Sequence, residues 1–198
     1  MRELKKLYKG SFFSVRYKFS WRAPFVCSAV LAAFGSNIHS VIDVGCGIGD
    51  LVAEFKDRGL ISEGIEGTDN CIDYLECPSS LVKIHDLRDP LSVDLKFDLV
   101  TCFEVAEHIE PERAEQFIDN ITGLSKRLVM SIAGPGQGGH GHFNCQPMEY
   151  WEDKMKGRSF YRNKQVENKV KEGLFEQRHK PGIKAIYNNM IYFEEGLL

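Results

Sequence analysis

The order of apolar and polar positions divides this chain of 198 residues into short buried runs separated by amphipathic stretches. Val41, Ile42 and Val44 give a compact apolar run over Ser40–Val44, which predicts a buried strand. Runs at 62–66, 81–85, 97–102 and 128–133 predict four more strands. Between them the spacing changes to threes and fours. Leu51, Val52 and Phe55 share one face of a helix expected over 50–58, which Gly59 ends. Ala114, Phe117, Ile118 and Ile121 do the same over 111–122, opened by Pro111. Upstream, Phe25, Ala29, Ala32 and Ala33 supply the apolar face of a helix over Ala23–Phe34, with Pro24 in its first turn. A short helix is expected at 147–156 and a final strand at 184–193, joining the sheet antiparallel. Strands alternating with helices predict an α/β fold: a mostly parallel sheet, antiparallel near the C-terminus, with helices on both faces.

Composition changes this picture little. At 43% hydrophobic and 27% charged residues the chain reads as globular. No apolar run reaches the ~20 residues of a membrane span. Residues 1–6 are basic and lack the apolar segment of a secretory signal. Six cysteines form no C-x-x-C pair, so they are expected as reduced core residues of a cytoplasmic protein. Charge adds more. The net −3 hides seven Lys or Arg against one Glu in residues 1–22, and nine against three acidic residues in 154–180. Residues 23–153 hold eight basic and 22 acidic residues. The flanks are expected to pack on the acidic centre and neutralise it. The functional alternative is a basic surface for a phosphorylated or polyanionic acceptor.

Residues 41–50 read VIDVGCGIGD: strand, acidic residue, glycine turn, helix. A P-loop needs Gly-Lys-Ser/Thr, which is missing. A dinucleotide fingerprint needs a third glycine where Asp50 stands, and Asp43 and Asp50 would repel a pyrophosphate. S-adenosylmethionine has no phosphate and carries an ammonium and a sulfonium, so carboxylates beside it are favourable. On these residues the chain resembles the class I S-adenosylmethionine-dependent methyltransferases, over about 41–151 and more weakly to Phe193.

The resemblance implies a Rossmann-like sheet and a cofactor site along the strand ends. Asp43, Gly45, Cys46, Gly47 and Gly49 would form the cofactor loop. Glu66, 23 residues after Asp43, would hold the ribose hydroxyls, with Asp69 and Asn70 as backups. Asp86 would accept from the adenine amino group and Leu87 would pack on the ring, while Phe103 and Glu104 would pass the methionine portion. It also implies a single domain over 1–198, with 1–22 as a basic lid, 23–153 as the cofactor-binding core, and 154–198 as a basic segment and final strand.

Residues 104–108 (EVAEH) and 134–151 (GPGQGGHGHFNCQPMEYW) resemble a subgroup found beside glycan and cell-surface biosynthesis functions. His142 and His140 are candidates for the base that takes a proton from an acceptor hydroxyl, with His142 ahead. Asn144 and Gln146 would orient the acceptor, and Tyr150 and Trp151 would cover the sheet. Glu104, Glu107 and His108 also resemble divalent-cation ligands of small-RNA 2′-O-methyltransferases and ubiquinone-pathway O-methyltransferases. The favoured reading pairs Glu107 with His108 structurally, and a metal is the alternative. The expected reaction converts S-adenosylmethionine to S-adenosylhomocysteine while O-methylating a sugar or other small molecule. Metal-assisted RNA 2′-O-methylation and a non-catalytic cofactor-binding scaffold are the rivals.

Overall fold

The structure, a computed structural model, describes residues 2–92 and 96–196. Seven strands form one sheet: β1 (Ser40–Val44), β2 (Ile61–Glu66), β3 (Val82–Ile84), β4 (Leu99–Phe103), β5 (Arg127–Ser131), β6 (Phe160–Arg162) and β7 (Met190–Glu195). Their order is β3-β2-β1-β4-β5-β7-β6. The pairs β1–β2, β2–β3, β1–β4 and β4–β5 are parallel, and β7 runs antiparallel between β5 and β6. The chain reverses direction outward from β1 toward β2 and β4, which makes a switch point at the carboxyl end of β1.

Period-two alternation sorts each central strand between two cores. Ile42, Val44, Val100, Cys102, Leu128, Met130, Ile191 and Phe193 face one side. There they meet Phe117, Ile118 and Ile121 of α5 (Ala114–Leu124) and Trp151 and Met155 of α6 (Met148–Lys156). Val41, Leu99, Val129, Met190 and Tyr192 face the other side. They pack on α3 (Ala23–Phe34), α4 (Asp50–Asp57), α7 (Lys164–Leu174) and α8 (Lys184–Asn189). Trp151 is fully buried, as expected, and Tyr150 is partly so. Five of the six cysteines are buried and all six are free thiols.

Two stretches depart from the sequence reading. The strand expected over 184–193 begins only at Met190, and Lys184–Asn189 is helical. Ile183, Ile186 and Met190 recur at three and four and all enter one core, so the run carries a helical period that its apolar density hid. The basic stretch after 156 contains β6 and α7, neither of which was expected. Val166, Val170 and Leu174 form the inner stripe of α7, and Gly173 lets it cross α3 closely. A Cβ at Gly173 would stand 2.7 Å from the Ala29 Cβ and 2.8 Å from its Cα. Gly173→Val should therefore force the helices apart and cost about 1–3 kcal/mol, read as a lower urea midpoint.

The basic flanks do fold onto acidic partners. Arg158 pairs with Glu115 and Asp119, Lys154 with Glu115, Arg22 with Asp50, and Lys5 with Asp69. Residues 2–22 supply α1 (Arg2–Leu7), α2 (Gly10–Arg16) and a 3-10 segment, Tyr17–Arg22, laid across the carboxyl edge of the sheet.

Candidate functional site

The loop after β1 takes its shape from glycine. Gly45, Gly47 and Gly49 have φ of 74°, 60° and 71°, where a side chain is strained. The Gly45 and Cys46 N–H groups both donate to the Ile65 carbonyl at 2.8 and 3.0 Å, which fixes the loop against β2. At Gly45 there is also no room: a Cβ would lie 2.3 Å from Val105 Cγ2. Gly49 sits lower, as the residue preceding α4, against Cys77.

A cavity opens above this loop. Asp43, Gly45, Cys46, Gly47, Glu66, Asp86, Leu87, Phe103 and Glu104 all line it. Gly49 and Asp69 do not. Asp69 instead pairs with Lys5 at 2.7 Å, while Asn70 Nδ2 donates to the Lys5 and Tyr8 carbonyls. These two residues hold the N-terminal helices down.

Glu66 accepts from the Gly47 N–H at 2.9 Å and the Gly67 N–H at 2.8 Å, one on each carboxylate oxygen. Burial pushes its carboxyl upward against the pull of these donors. Asp86 is gripped by the Arg88 guanidinium at 2.9 and 2.8 Å, and Arg88 also pairs with Glu110. Burial opposes ionisation of Asp86, but Arg88 prevails and holds its carboxyl at about 2. Asp86 is thus a fixed anion at the expected adenine end.

Asp43 is buried and accepts from Thr101 Oγ1 at 2.7 Å. Burial raises its carboxyl to about 7, with Thr101 opposing. An acid whose folded pKa lies above its unfolded value loses native stability as pH rises between the two. Asp43→Asn keeps an acceptor for Thr101 and removes that loss. In cofactor-free protein, the melting temperature of the variant minus that of wild type should grow from pH 4 to pH 7 and then level off. A difference that stays flat would contradict the buried-carboxyl account.

The second half of the site follows β4. Glu104 has φ of 55°, and its N–H donates to Ser131. Its carboxylate receives Asn189 Nδ2 at 3.1 Å. Glu107 is fully buried, and neither of its carboxylate oxygens has a hydrogen-bond partner among the described residues. Burial, then the neighbouring Glu104, pushes its carboxyl to about 8. Beside it, His108 is held near 4 by burial and the proximity of His142. Ligand atoms of Glu107, His108 and His142 lie within 4.8 Å of one another. Glu104 stands outside this group.

The two loop histidines part company. His142 Nδ1 faces the Gln137 carbonyl at 3.0 Å and His108 Nδ1 faces the Gly141 carbonyl at 3.0 Å. A carbonyl accepts only, so each Nδ1 carries a proton and donates it there. His140 turns the other way, with Nε2 at 2.8 Å from the Leu7 carbonyl, and does not join the cluster. Asn144 is buried beneath the loop, and its N–H donates to the Glu107 carbonyl at 3.0 Å.

The sequence reading placed residues 1–22 as a lid without assigning them site residues. Leu4, Tyr8, Phe12 and Arg16 line the cavity, and their spacing of four was the available signal. The Tyr8 hydroxyl lies 2.9 Å from His108 Nδ1.

Residues 19–172 match the family model described as a methyltransferase domain. The chain belongs to that family. It has the class I, S-adenosylmethionine-dependent architecture. The ubiquinone biosynthesis O-methyltransferase of Hahella chejuensis is 35% identical over 83 residues, covering 35% of this chain and 32% of that protein. The match thus spans about a third of that relative's length. Two solved structures share the fold. One is the O-methyltransferase of a Brevibacillus brevis polyketide synthase multienzyme with S-adenosylhomocysteine, at TM-score 0.60 and 13% identity, covering 87% of this chain and 72% of that one. The other is the magnesium protoporphyrin IX methyltransferase of Synechocystis, also with S-adenosylhomocysteine, at TM-score 0.54 and 21% identity, covering 70% and 73%. No helix of the described methyltransferase is long and apolar enough to cross a membrane.

Proposed function

We propose that this methyltransferase moves the methyl group of S-adenosylmethionine to a hydroxyl oxygen of a small molecule, a sugar or similar polyhydroxylated compound. The observation that carries this reading is adjacency: His108 lines the cofactor cavity and also belongs to the Glu107–His108–His142 cluster. The proposed proton acceptor, His142, therefore lies beside the chamber of the glycine loop, next to His108 in its wall. The name of the Hahella relative, an O-methyltransferase, supports oxygen as the target.

The acceptor oxygen attacks the sulfonium methyl in line with the departing sulfur. The new bond is O–CH3, the broken bond is S–CH3, and the sulfur leaves as neutral S-adenosylhomocysteine. Holding both partners in that line supplies several kcal/mol of the barrier reduction. The hydroxyl proton passes to His142, whose Nδ1 is held by the Gln137 carbonyl. Asp43, Glu66 and Glu104 give the cavity an anionic lining suited to the cationic cofactor.

One observation favours a divalent cation as an addition to this scheme. Glu107 has two buried oxygens without a hydrogen-bond partner among the described residues, ligand atoms of Glu107 and both imidazoles lie within 4.8 Å of one another, and each imidazole has Nδ1 against a carbonyl. Two imidazoles and a carboxylate fit Mg²⁺, Mn²⁺ or Zn²⁺ by ligand type. A cation held there would acidify a nearby acceptor hydroxyl. The RNA reading receives less support. Lys154, Arg158 and Arg162 of the basic flank are each committed to acidic side chains and form no open phosphate-binding stripe.

Calorimetric titration of metal-stripped protein with S-adenosylhomocysteine, then acceptor screening with and without added Mg²⁺, Mn²⁺ or Zn²⁺, tests these readings in turn. Micromolar binding and methyl transfer to a hydroxylated small molecule are expected. Absence of binding at millimolar ligand, with or without cation, would overturn the cofactor assignment.

A further inference from the structure

The segment that joins α2 to α3 faces two ways. Arg16 and Arg22 line the cofactor cavity, whereas Tyr17, Lys18 and Trp21 between them do not and are exposed. Three of the six residues in the 3-10 segment Tyr17–Arg22 are aromatic, yet none of the six is buried. Phe25 and Phe175 are exposed too, and across Tyr17, Trp21, Phe25 and Phe175 the exposure runs from 37% for Trp21 to 59% for Tyr17. Aromatic rings bring large apolar area to any interior that encloses them, so four left open mark a surface that meets something else.

Basic residues gather at the same place. The Lys180 ammonium lies 5.3 Å from the Trp21 ring centroid and 5.9 Å from that of Phe25, and the two rings are 6.0 Å apart. Gly182 packs on Phe19, where a Cβ would lie 3.2 Å from the Phe19 Cβ. The stretch 175–184 is thus laid against 17–25, and together they hold five Lys or Arg against one Glu. Of the five, Arg22 alone has an ion-pair partner among the described residues, leaving Lys18, Arg178, Lys180 and Lys184 uncommitted. The ring faces say which anion suits this surface. The Arg178 guanidinium stands 3.6 Å over the Phe175 ring, and Lys180 stands over Trp21 and Phe25. A nucleobase stacks on an open ring face, and these faces are taken by cations. A bilayer asks for something else: rings that sink into the headgroup layer, with Lys and Arg beside them to meet lipid phosphates.

We infer that the surface formed by Tyr17, Lys18, Trp21, Phe25, Arg178 and Lys180 docks this protein on an anionic lipid bilayer. Docking there sets the bilayer against the outer side of the segment whose inner arginines line the cofactor cavity. The inference stands on this surface alone and does not depend on which acceptor is methylated.

The test mixes the full chain with vesicles of phosphatidylcholine alone and with vesicles of equal parts phosphatidylcholine and phosphatidylglycerol. Bound protein is read by sedimentation and by tryptophan emission. The chain has two tryptophans and Trp151 is fully buried, so an emission shift on binding reports Trp21. Wild type should bind the phosphatidylglycerol vesicles at least tenfold more tightly than the neutral ones, with emission moving to shorter wavelength. High salt should remove the preference. The double variant Lys18→Glu/Lys180→Glu should bind the anionic vesicles at least tenfold more weakly. Trp21→Ser should weaken binding and abolish the emission shift. Far-ultraviolet circular dichroism checks that each variant is folded. Absence of wild-type binding, equal binding to both kinds of vesicle, or binding without an emission shift overturns the inference, whether or not the variants fold. Undiminished binding by both folded variants would put the contact elsewhere and overturn it too. Tighter binding to a single-stranded RNA oligonucleotide than to either vesicle, lost in the same variants, would give this surface to nucleic acid and refute the lipid assignment.

Discussion

His142→Ala should lower methyl transfer by roughly 10²–10⁴-fold, the usual worth of a positioned base. S-adenosylhomocysteine affinity should stay within about twofold of wild type. The split follows from where the ring lies. His142 is part of the Glu107–His108–His142 group but does not line the cofactor cavity, and its fixed nitrogen faces the Gln137 carbonyl. Turnover under saturating cofactor and calorimetric affinity, measured on the same preparation, read the two effects separately. Loss of both would show that the ring serves to hold the 134–145 loop. Loss of neither would remove it from the chemistry. His140→Ala is the matching comparison. Its ring accepts no cluster role and ties the loop to Leu7, so its effect should fall on lid closure and be smaller.

Glu66→Ala should weaken cofactor binding at least tenfold, about 1.4 kcal/mol. Two losses combine. The carboxylate that would receive the ribose hydroxyls disappears, and the Gly47 and Gly67 N–H groups lose their acceptor. Glu66→Gln separates them, because its side-chain carbonyl oxygen still serves one of those donors. If the ribose contact dominates, both variants bind weakly. If the loop contacts dominate, the glutamine recovers much of the affinity. Unchanged affinity in a folded Glu66→Ala protein would sink the ribose assignment.

Much of this architecture is written in local pattern. The alternation in β1, β4 and β5 specifies two buried faces, and the three glycines mark where the backbone must turn left-handed. What was hidden depends on choices that pattern leaves open. The run 184–193 is short and largely apolar, broken by Lys184, Asn188 and Asn189, and such a run fits a strand or a buried helix equally. In α7 the stripe of Val166, Val170 and Leu174 is thin and surrounded by lysines and glutamates, so charge masked its period.

The site shows the same divide. Glu66 closes β2 and Asp69 stands three residues later, but only Glu66 reaches the cavity, while Asp69 turns toward Lys5. His140 and His142 are separated by a single glycine. That residue, Gly141, has φ of 73°, and it sends the two rings to opposite partners. No periodicity encodes such a turn. Arg16 is legible in the sequence only as one member of a basic flank, because its place in the cavity wall is set by how the N-terminal helices pack.

The outermost strands of the sheet, Val82–Ile84 and Phe160–Arg162, are each three residues long. Their central side chains, Lys83 and Tyr161, are exposed, and Arg162 is braced by Glu152 and Glu167. Short, charged margins of this kind present little continuous backbone for another chain to extend. The buried strands β1, β4 and β5, which would be adhesive if uncovered, are interior to the sheet. The same strand order that sets the cavity at its centre therefore also guards the protein against edge-to-edge aggregation at high concentration.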